Sequence, residues 1–416
     1  MSTVANPSSS PAATSSALRD DAAVIGLVGM AHLISHYSQL LLAPLFPWLK
    51  TEFNVSYAEL GFLLSVFFVV SCAVQAMSGF VVDRFGPRPA LFAGLGLLGM
   101  AAIGFATSTH YLTLLVFAAV AGVGNGVFHP VDYTILNRKV SAARLGHAYS
   151  VHGITGSLGW ALAPAMLVPL AAAFGWRVAL LAAAGLIFTV LAIVFWRRRV
   201  LELPPAPHVA QHASQPAESA FGFLRIPAVW MCFAFFFFYA AVLSVIQTFA
   251  TSSATHLTNV PATLAAMCLT AYMVASAGGM VVGGFLVADA SRAERIVGMG
   301  FGVAAMFALT MALTPVPGVL VPVLFVGMGF ASGIAGPSRD MLVKRSTPEN
   351  ATGRVYGVVY AGLDIGQAVM PLIFGALMDH GQYRAIWFGL ALLQGVLIAS
   401  AFNVRRVRRT LRPAMA

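Results

Sequence analysis

Eight ionisable side chains fall inside long apolar segments of this chain: His32, His36, His129, Asp132, His152, Arg339, Asp340 and Asp364. A titratable group in hydrocarbon is costly, so its default reading is functional. On helices, His32 and His36 share a face, as do His129 and Asp132, because residues three or four apart are neighbours. A His–Asp pair can hold a proton or fix an imidazole tautomer. Pro130, between the two, removes a backbone donor and can break the helix there. Two histidines at four-residue spacing can bind a metal, but a third and fourth ligand are not evident, so no metal or other cofactor is expected. Asp364 is the deepest carboxylate and has no Lys or Arg within four positions along its helix. Such a group is suited to exchanging protons near neutral pH. A bond to a cationic substrate and a contact to another helix are the alternatives. Proton coupling is expected of Asp364, His129, Asp132 and His36. Substrate contacts are expected of His32, His36, Asn125, His129, His152, Arg339, Tyr360 and Gln367. Tyr37, Gln39, Trp160, Tyr239 and Gln247 are amphipathic candidates of the same kind.

The elements that carry these residues follow from composition. Hydrophobic residues make up 59% of the chain and charged residues 9%, with a mean hydropathy of +0.84. Soluble domains carry about 25% charged residues. Twelve apolar runs are long enough to cross a bilayer, which takes about 20 residues each. They fall at about 22–48, 57–82, 90–107, 111–137, 147–173, 178–196, 226–250, 261–288, 296–313, 317–342, 355–378 and 383–403. Backbone in lipid must satisfy its own hydrogen bonds, and the runs lack the alternation of barrel strands, so all are helices.

The chain also repeats itself. Gly159 and Pro164 map onto Gly366 and Pro371 at an offset of 371 − 164 = 207. The same offset carries Gly126 and Pro130 onto Gly333 and Pro337, and Trp176-Arg177 onto Tyr383-Arg384. Duplicated halves in a membrane chain point to two bundles around a central site. The offset also sets Arg339 against Asp132, which predicts an ion pair across the pseudo-twofold axis; the alternative places both at the membrane edge. The expected organisation is an N-terminal tail at 1–20 without ordered structure, a six-helix bundle at 21–197, a Pro-rich linker at 198–222, a second bundle at 223–405 and a basic tail at 406–416.

Lys and Arg fix the expected orientation. With the N-terminus inside, the cytoplasmic loops receive Arg84, Arg88, Arg138, Lys139, Arg144, Arg197 to Arg199, Lys344, Arg345 and Arg354, whereas the other side receives Lys50, Arg177 and Arg384. The net charge of +10 is therefore a topology signal and not a nucleic-acid footprint. Cys72, Cys232 and Cys268 have no pairing or metal spacing and read as packing residues.

The loop after the second helix reads Gly79-Phe80-Val81-Val82-Asp83-Arg84-Phe85-Gly86-Pro87-Arg88. It resembles the signature loop of the major facilitator superfamily, Gly-x-x-x-Asp-Arg-x-Gly-Arg-Arg, with Pro87 in place of one basic residue. A decayed copy, Gly284 to Asp289, lies in the second half. The fifth helix, with Gly153, Gly156, Gly159 and Pro164, is similar to the superfamily's antiporter motif, although Ala163 replaces its last glycine. Phe128-His129-Pro130 resembles the fosmidomycin-resistance exporters. The fourth helix lacks the mid-membrane arginine of many drug–proton antiporters. The resemblance spans about 22–405 and implies two six-helix bundles, a cavity bordered by the helices that carry the eight ionisable groups, and alternating access. It implies a gate built from Gly79, Asp83, Arg84, Gly86, Arg88, Arg144, Asp289 and Arg354, with Asp83 paired to Arg144 or Arg354.

The expected function is proton-coupled secondary transport of a small polar or anionic organic molecule, a drug or metabolite, with export slightly favoured. Proton-linked uptake of an organic acid is the runner-up, and a non-transporting membrane sensor is the alternative of another class. No phosphate-cradling Gly-x-x-x-x-Gly-Lys, nucleophile elbow or His-Glu-x-x-His occurs, so neither ATP-driven transport nor an enzyme is expected. The expected setting is a cell inner membrane with both termini cytoplasmic. The expected partners are lipid, protons and a small-molecule substrate, with no nucleic acid, and the chain is expected to be a monomer.

Overall fold

The structure, a computed structural model, describes residues 11–203, 227–286, 293–346 and 352–411. Within these, twelve helical stretches are long and apolar enough to cross a membrane. The first bundle contains α1 (Pro11–Gln39), α2 (Phe46–Phe53), α3 (Tyr57–Phe85), α4 (Pro87–Thr107), α5 (Tyr111–Asn125), α6 (Phe128–Lys139), α7 (Leu145–Phe174) and α8 (Trp176–Trp196). The second contains α9 (Pro227–Val245), α10 (Thr251–Leu257), α11 (Ala262–Leu286), α12 (Ala293–Leu313), α13 (Val321–Ser346), α14 (Thr352–Asp379) and α15 (Tyr383–Leu411). Two expected boundaries move. Residues 11–20 are helical and belong to α1, and the basic segment to Leu411 continues α15. The first part of the expected linker, Arg198–Leu201, is a 3-10 turn with Leu201 buried; residues 204–226 lie outside the described residues.

The fourth crossing is broken, as Pro130 predicts, but four residues ahead of it. A proline in a helix removes the bond to the carbonyl four residues earlier and its ring crowds that carbonyl. That carbonyl belongs to Gly126, and α5 gives way to α6 across Gly126 and Val127. The seventh crossing carries a π-helical segment, Ile246–Ala250, between α9 and α10.

Repeat-related glycines do equivalent work in the two bundles. A Cβ on Gly159 would strike the backbone carbonyl of Leu33 on α1, and one on Gly366 the carbonyl of Phe237 on α9. Gly126 packs in the same way on α3, and Gly333 on α11. Side chains would separate these helices, so small residues set their approach. Trp160 and Gln367, 207 apart, also correspond: Trp160 Nε1 donates to Gln39 Oε1 (3.0 Å), and Gln367 Nε2 to Gln247 Oε1 (3.2 Å).

The bundles meet along two seams, α3 against α14 and α7 against α11. On the face opposite the chain termini the first seam is stitched by hydrogen bonds. Asp379, at the end of α14, accepts from the backbone N–H groups of Tyr57 (2.7 Å) and Ala58 (2.9 Å). Ser56 caps Glu59 N–H (3.1 Å) and its own N–H donates to the Glu59 carboxylate (2.7 Å). The free amides at the start of α3 are therefore satisfied by both bundles together. Deeper in the seam, Ser65 Oγ donates to Ala368 O (2.5 Å), and Gly61 lies against Pro371 O so closely that no side chain would fit.

Candidate functional site

Three groups of polar side chains lie within the membrane-spanning helices. The first lines a narrow cleft between the bundles. Its polar lining is Ser157 and Trp160 from α7 and Tyr239, Tyr272, Ser276 and Ser332 from the second bundle. Small-ligand sites commonly combine aromatic walls with a few polar groups, and this lining has that character. Of the residues read from sequence, Trp160 and Tyr239 line this cleft. The four serines and tyrosines added here carry no sequence signal that separates them from packing residues in an apolar helix.

The second group is a buried cluster of histidines. Asp132 on α6 is fully buried, and its Oδ2 lies 3.0 Å from His32 Nδ1 on α1 and 3.1 Å from His152 Nε2 on α7. The rings of His32 and His152 stack with centroids 3.5 Å apart. His36 and His129 lie 4.4 Å and 5.4 Å from the His32 ring. The Asp132 carboxylate bonds across three helices, to rings on α1 and α7, with His129 of its own helix alongside. The two-histidine metal reading is revised: the ligand atoms that converge, all within 4.8 Å of one another, belong to His32, His129 and His152. Gly156 makes room for the cluster, since a Cβ there would lie 2.8 Å from the His36 ring and 3.1 Å from His32 Nε2. Trp160, its ring tilted against His36 with centroids 4.2 Å apart, touches the cluster and also lines the cleft.

Beside the cluster, Asn125 closes a polar network. Its Oδ1 accepts from Ser35 Oγ (2.8 Å) and Gln39 Nε2 (3.3 Å), and its Nδ2 donates to Ser71 Oγ (2.9 Å). Asn125 thus ties α1, α3 and α5 together. Gln367, paired with Gln247, does comparable work in the second bundle.

The third group is at the bundle seam. Asp364 on α14 accepts from Gln75 Nε2 on α3 (3.4 Å), and no Lys or Arg pairs with it among the described residues. Gln75 escaped the sequence reading, although a lone glutamine in an apolar run was a usable signal.

The signature loop is partly visible. Gly86 holds a left-handed backbone (φ 82°) between α3 and α4, which glycine adopts without strain. Space around Gly79 is open. Arg84 packs over the Phe85 ring (5.4 Å), and Arg88 Nη1 lies 3.6 Å from Glu202. Arg144 pairs with Asp21 on α1 (2.6 Å), with Ser141 Oγ on the same carboxylate. The carboxylate observed beside Arg144 is therefore Asp21, near the start of the first crossing and overlooked in the sequence. The side chains of Asp83, Arg339, Asp340, Arg354 and Tyr360, and all of Asp289, lie outside the described residues. Cys232 and Cys268 are buried and Cys72 is half-buried, and none of the three is held in a disulfide among the described residues.

Twelve crossings in two internally related bundles around an interfacial cleft define the class: a multi-pass membrane transport protein. The profile of the Major Facilitator Superfamily matches residues 28–338 and 254–414, and the chain belongs to that superfamily. It is 27% identical over 399 residues to the "Probable nitrate/nitrite transporter NarK2" of Mycobacterium tuberculosis, covering 94% of this chain and 98% of that one. It is 26% identical over 175 residues to the "Fosmidomycin resistance protein" of Escherichia coli, a match spanning 42% of this chain and 43% of that protein. A 178-residue match at 28% identity links it to the "Probable sulfoacetate transporter SauU" of Cupriavidus necator, over 42% of this chain and 41% of that one. A crystal structure of a mutant of the nucleoside transporter NupG superposes with a TM-score of 0.71 at 15% identity, over 92% of this chain and 99% of that one, which bears on fold alone. The chain is thus a transporter of this superfamily.

Proposed function

We propose that this transporter is proton-coupled and moves a small polar or anionic organic molecule by alternating access, in the export direction. The observation that carries the reading is Asp364. It is a carboxylate at the seam between the two bundles, held by a glutamine of the opposite bundle and by no described cation. A coupling group must change surroundings when the bundles rock, and a seam position meets that need, because the Gln75 contact breaks when α3 and α14 part. The cleft offers hydroxyls and aromatic faces, which suit a small polar solute. The excess of Lys and Arg on the termini side supports an inner-membrane setting with both termini cytoplasmic. The working unit is the monomer in lipid.

The substrate class draws on the relatives. A resistance protein against fosmidomycin favours export of an anionic drug. The second reading is proton-linked uptake of an organic acid, in keeping with the partial match to a sulfoacetate transporter, while the full-length match to a nitrate/nitrite transporter supports a small anion as cargo. The test uses proteoliposomes with an imposed pH gradient and labelled fosmidomycin, nitrate and sulfoacetate. Gradient-driven movement of one of them by the parent chain is expected, lost in Asp364→Asn while substrate exchange persists. Full gradient-driven movement in the variant would remove Asp364 from the coupling role. The sign of the gradient that drives accumulation separates export from uptake.

A further inference from the structure

We propose that His32, His129, His152 and Asp132 form a binding site for a divalent transition-metal ion of the zinc or nickel type, inside the first bundle. The donors come from three helices, α1, α6 and α7, and converge on one point. The histidine ligand atoms lie within 4.8 Å of one another, and Asp132 Oδ2 is 3.0–3.1 Å from two of the rings. A tetrahedral zinc ion with bonds of about 2.0–2.1 Å places its ligands about 3.4 Å apart. Modest ring rotations close the histidines to that spacing. Neutral imidazole suits zinc, nickel and copper, and a single carboxylate lowers the charge of the assembled site to +1, which matters where no water screens it.

A second observation points into the same place. Asp132 is fully buried, yet its Oδ1 has no hydrogen-bond partner among the described residues. An unused carboxylate oxygen in an apolar bundle is expensive. Sharing a proton between His32, His152 and Oδ2 leaves that oxygen idle, whereas a metal held by this carboxylate can engage it. The backbone is shaped for the rings too: Gly156 carries no side chain where a Cβ would touch His36 and His32. Entry runs from the termini side past half-exposed aromatic rings, Tyr149 to Tyr133 (5.5 Å) and Tyr133 to His129 (6.3 Å). A bound ion would pin α1, α6 and α7 as one body, which a bundle that rocks as a unit requires. This site is separate from Asp364, so either reading can fail without the other.

The experiment uses the full chain, purified through a tag without histidine, stripped with a chelator and loaded with Co2+ or Zn2+. One ion per chain is expected, with the visible bands of four-coordinate Co2+. X-ray absorption on the unaltered zinc-loaded chain should show a nitrogen and oxygen shell containing three imidazoles. His152→Gln and Asp132→Asn should weaken binding by about two orders of magnitude or more, exceeding the effect of losing an outer-shell partner. His110→Gln and His147→Gln, both exposed, should leave it unchanged. Less than half an ion per chain, a shell with fewer than three imidazoles, or binding lost in the exposed-histidine variants would overturn the site. The absorption measurement decides the matter even if a cluster variant fails to fold.

Discussion

Asp379 offers a quantitative handle on the conformational cycle. Its two oxygens accept the first two free amides of α3, at 2.7 and 2.9 Å, and so tie the end of α14 to the start of α3 across the bundles. The negative charge also faces a helix N-terminus, where it is favoured. Losing a capping acceptor costs about 1 kcal/mol per bond, within a range of about 0.5–2. Lys50 lies at 4.0 Å with both side chains partly exposed, so that pair adds at most a few tenths. Asp379→Ala should therefore disfavour the state closed on this face by about 2 kcal/mol, or about 30-fold in population. Asp379→Asn keeps one acceptor and should show about fivefold. The assay is alkylation of a single cysteine at Ser65, which is 5% exposed in the same seam, after replacing Cys72, Cys232 and Cys268. An impermeant maleimide added from the Asp379 side should react about 30 times faster in Asp379→Ala. A rate within twofold of the parent, in protein that still folds, would refute the claim that these two bonds hold the seam.

Gly61→Leu should oppose closure more strongly, because a Cβ at this position already strikes Pro371 O; labelling at the same Ser65 cysteine should become fast and substrate transport should cease. Asn125→Leu leaves Ser35, Gln39 and Ser71 without their shared partner, so the melting temperature in detergent should fall by the equivalent of about 2–4 kcal/mol. Asp364→Asn keeps an acceptor for Gln75 and should preserve the fold with an unchanged melting temperature, while proton-driven movement of substrate in proteoliposomes disappears. Arg144→Ala should loosen the tie between α1 and the loop before α7 by about 1–3 kcal/mol, seen as faster hydrogen exchange at Ser141.

The placement of polar groups shows how far local information reaches. The break in the fourth crossing was legible because proline acts on the carbonyl four residues before it, a purely local effect. The Asp132 bonds were not, because a carboxylate on α6 selects among rings that only the packing of α1 and α7 brings near. Asp379 was hidden for a related reason: at the end of a crossing it looks like an ordinary membrane-edge charge, and its partners are backbone amides more than 320 residues earlier.

By itself the sequence determined the class of the molecule. Apolar length and the one-sided distribution of Lys and Arg reflect costs of backbone and charge at the membrane that act residue by residue, and the offset of 207 is read directly off the chain. Which helices touch, which histidines share one carboxylate and which side chains line the cleft were decided by the tertiary structure alone. Helix–helix approach depends on pairs of surfaces, such as Gly159 on Leu33 and Gly366 on Phe237, and no single segment carries both halves of a pair.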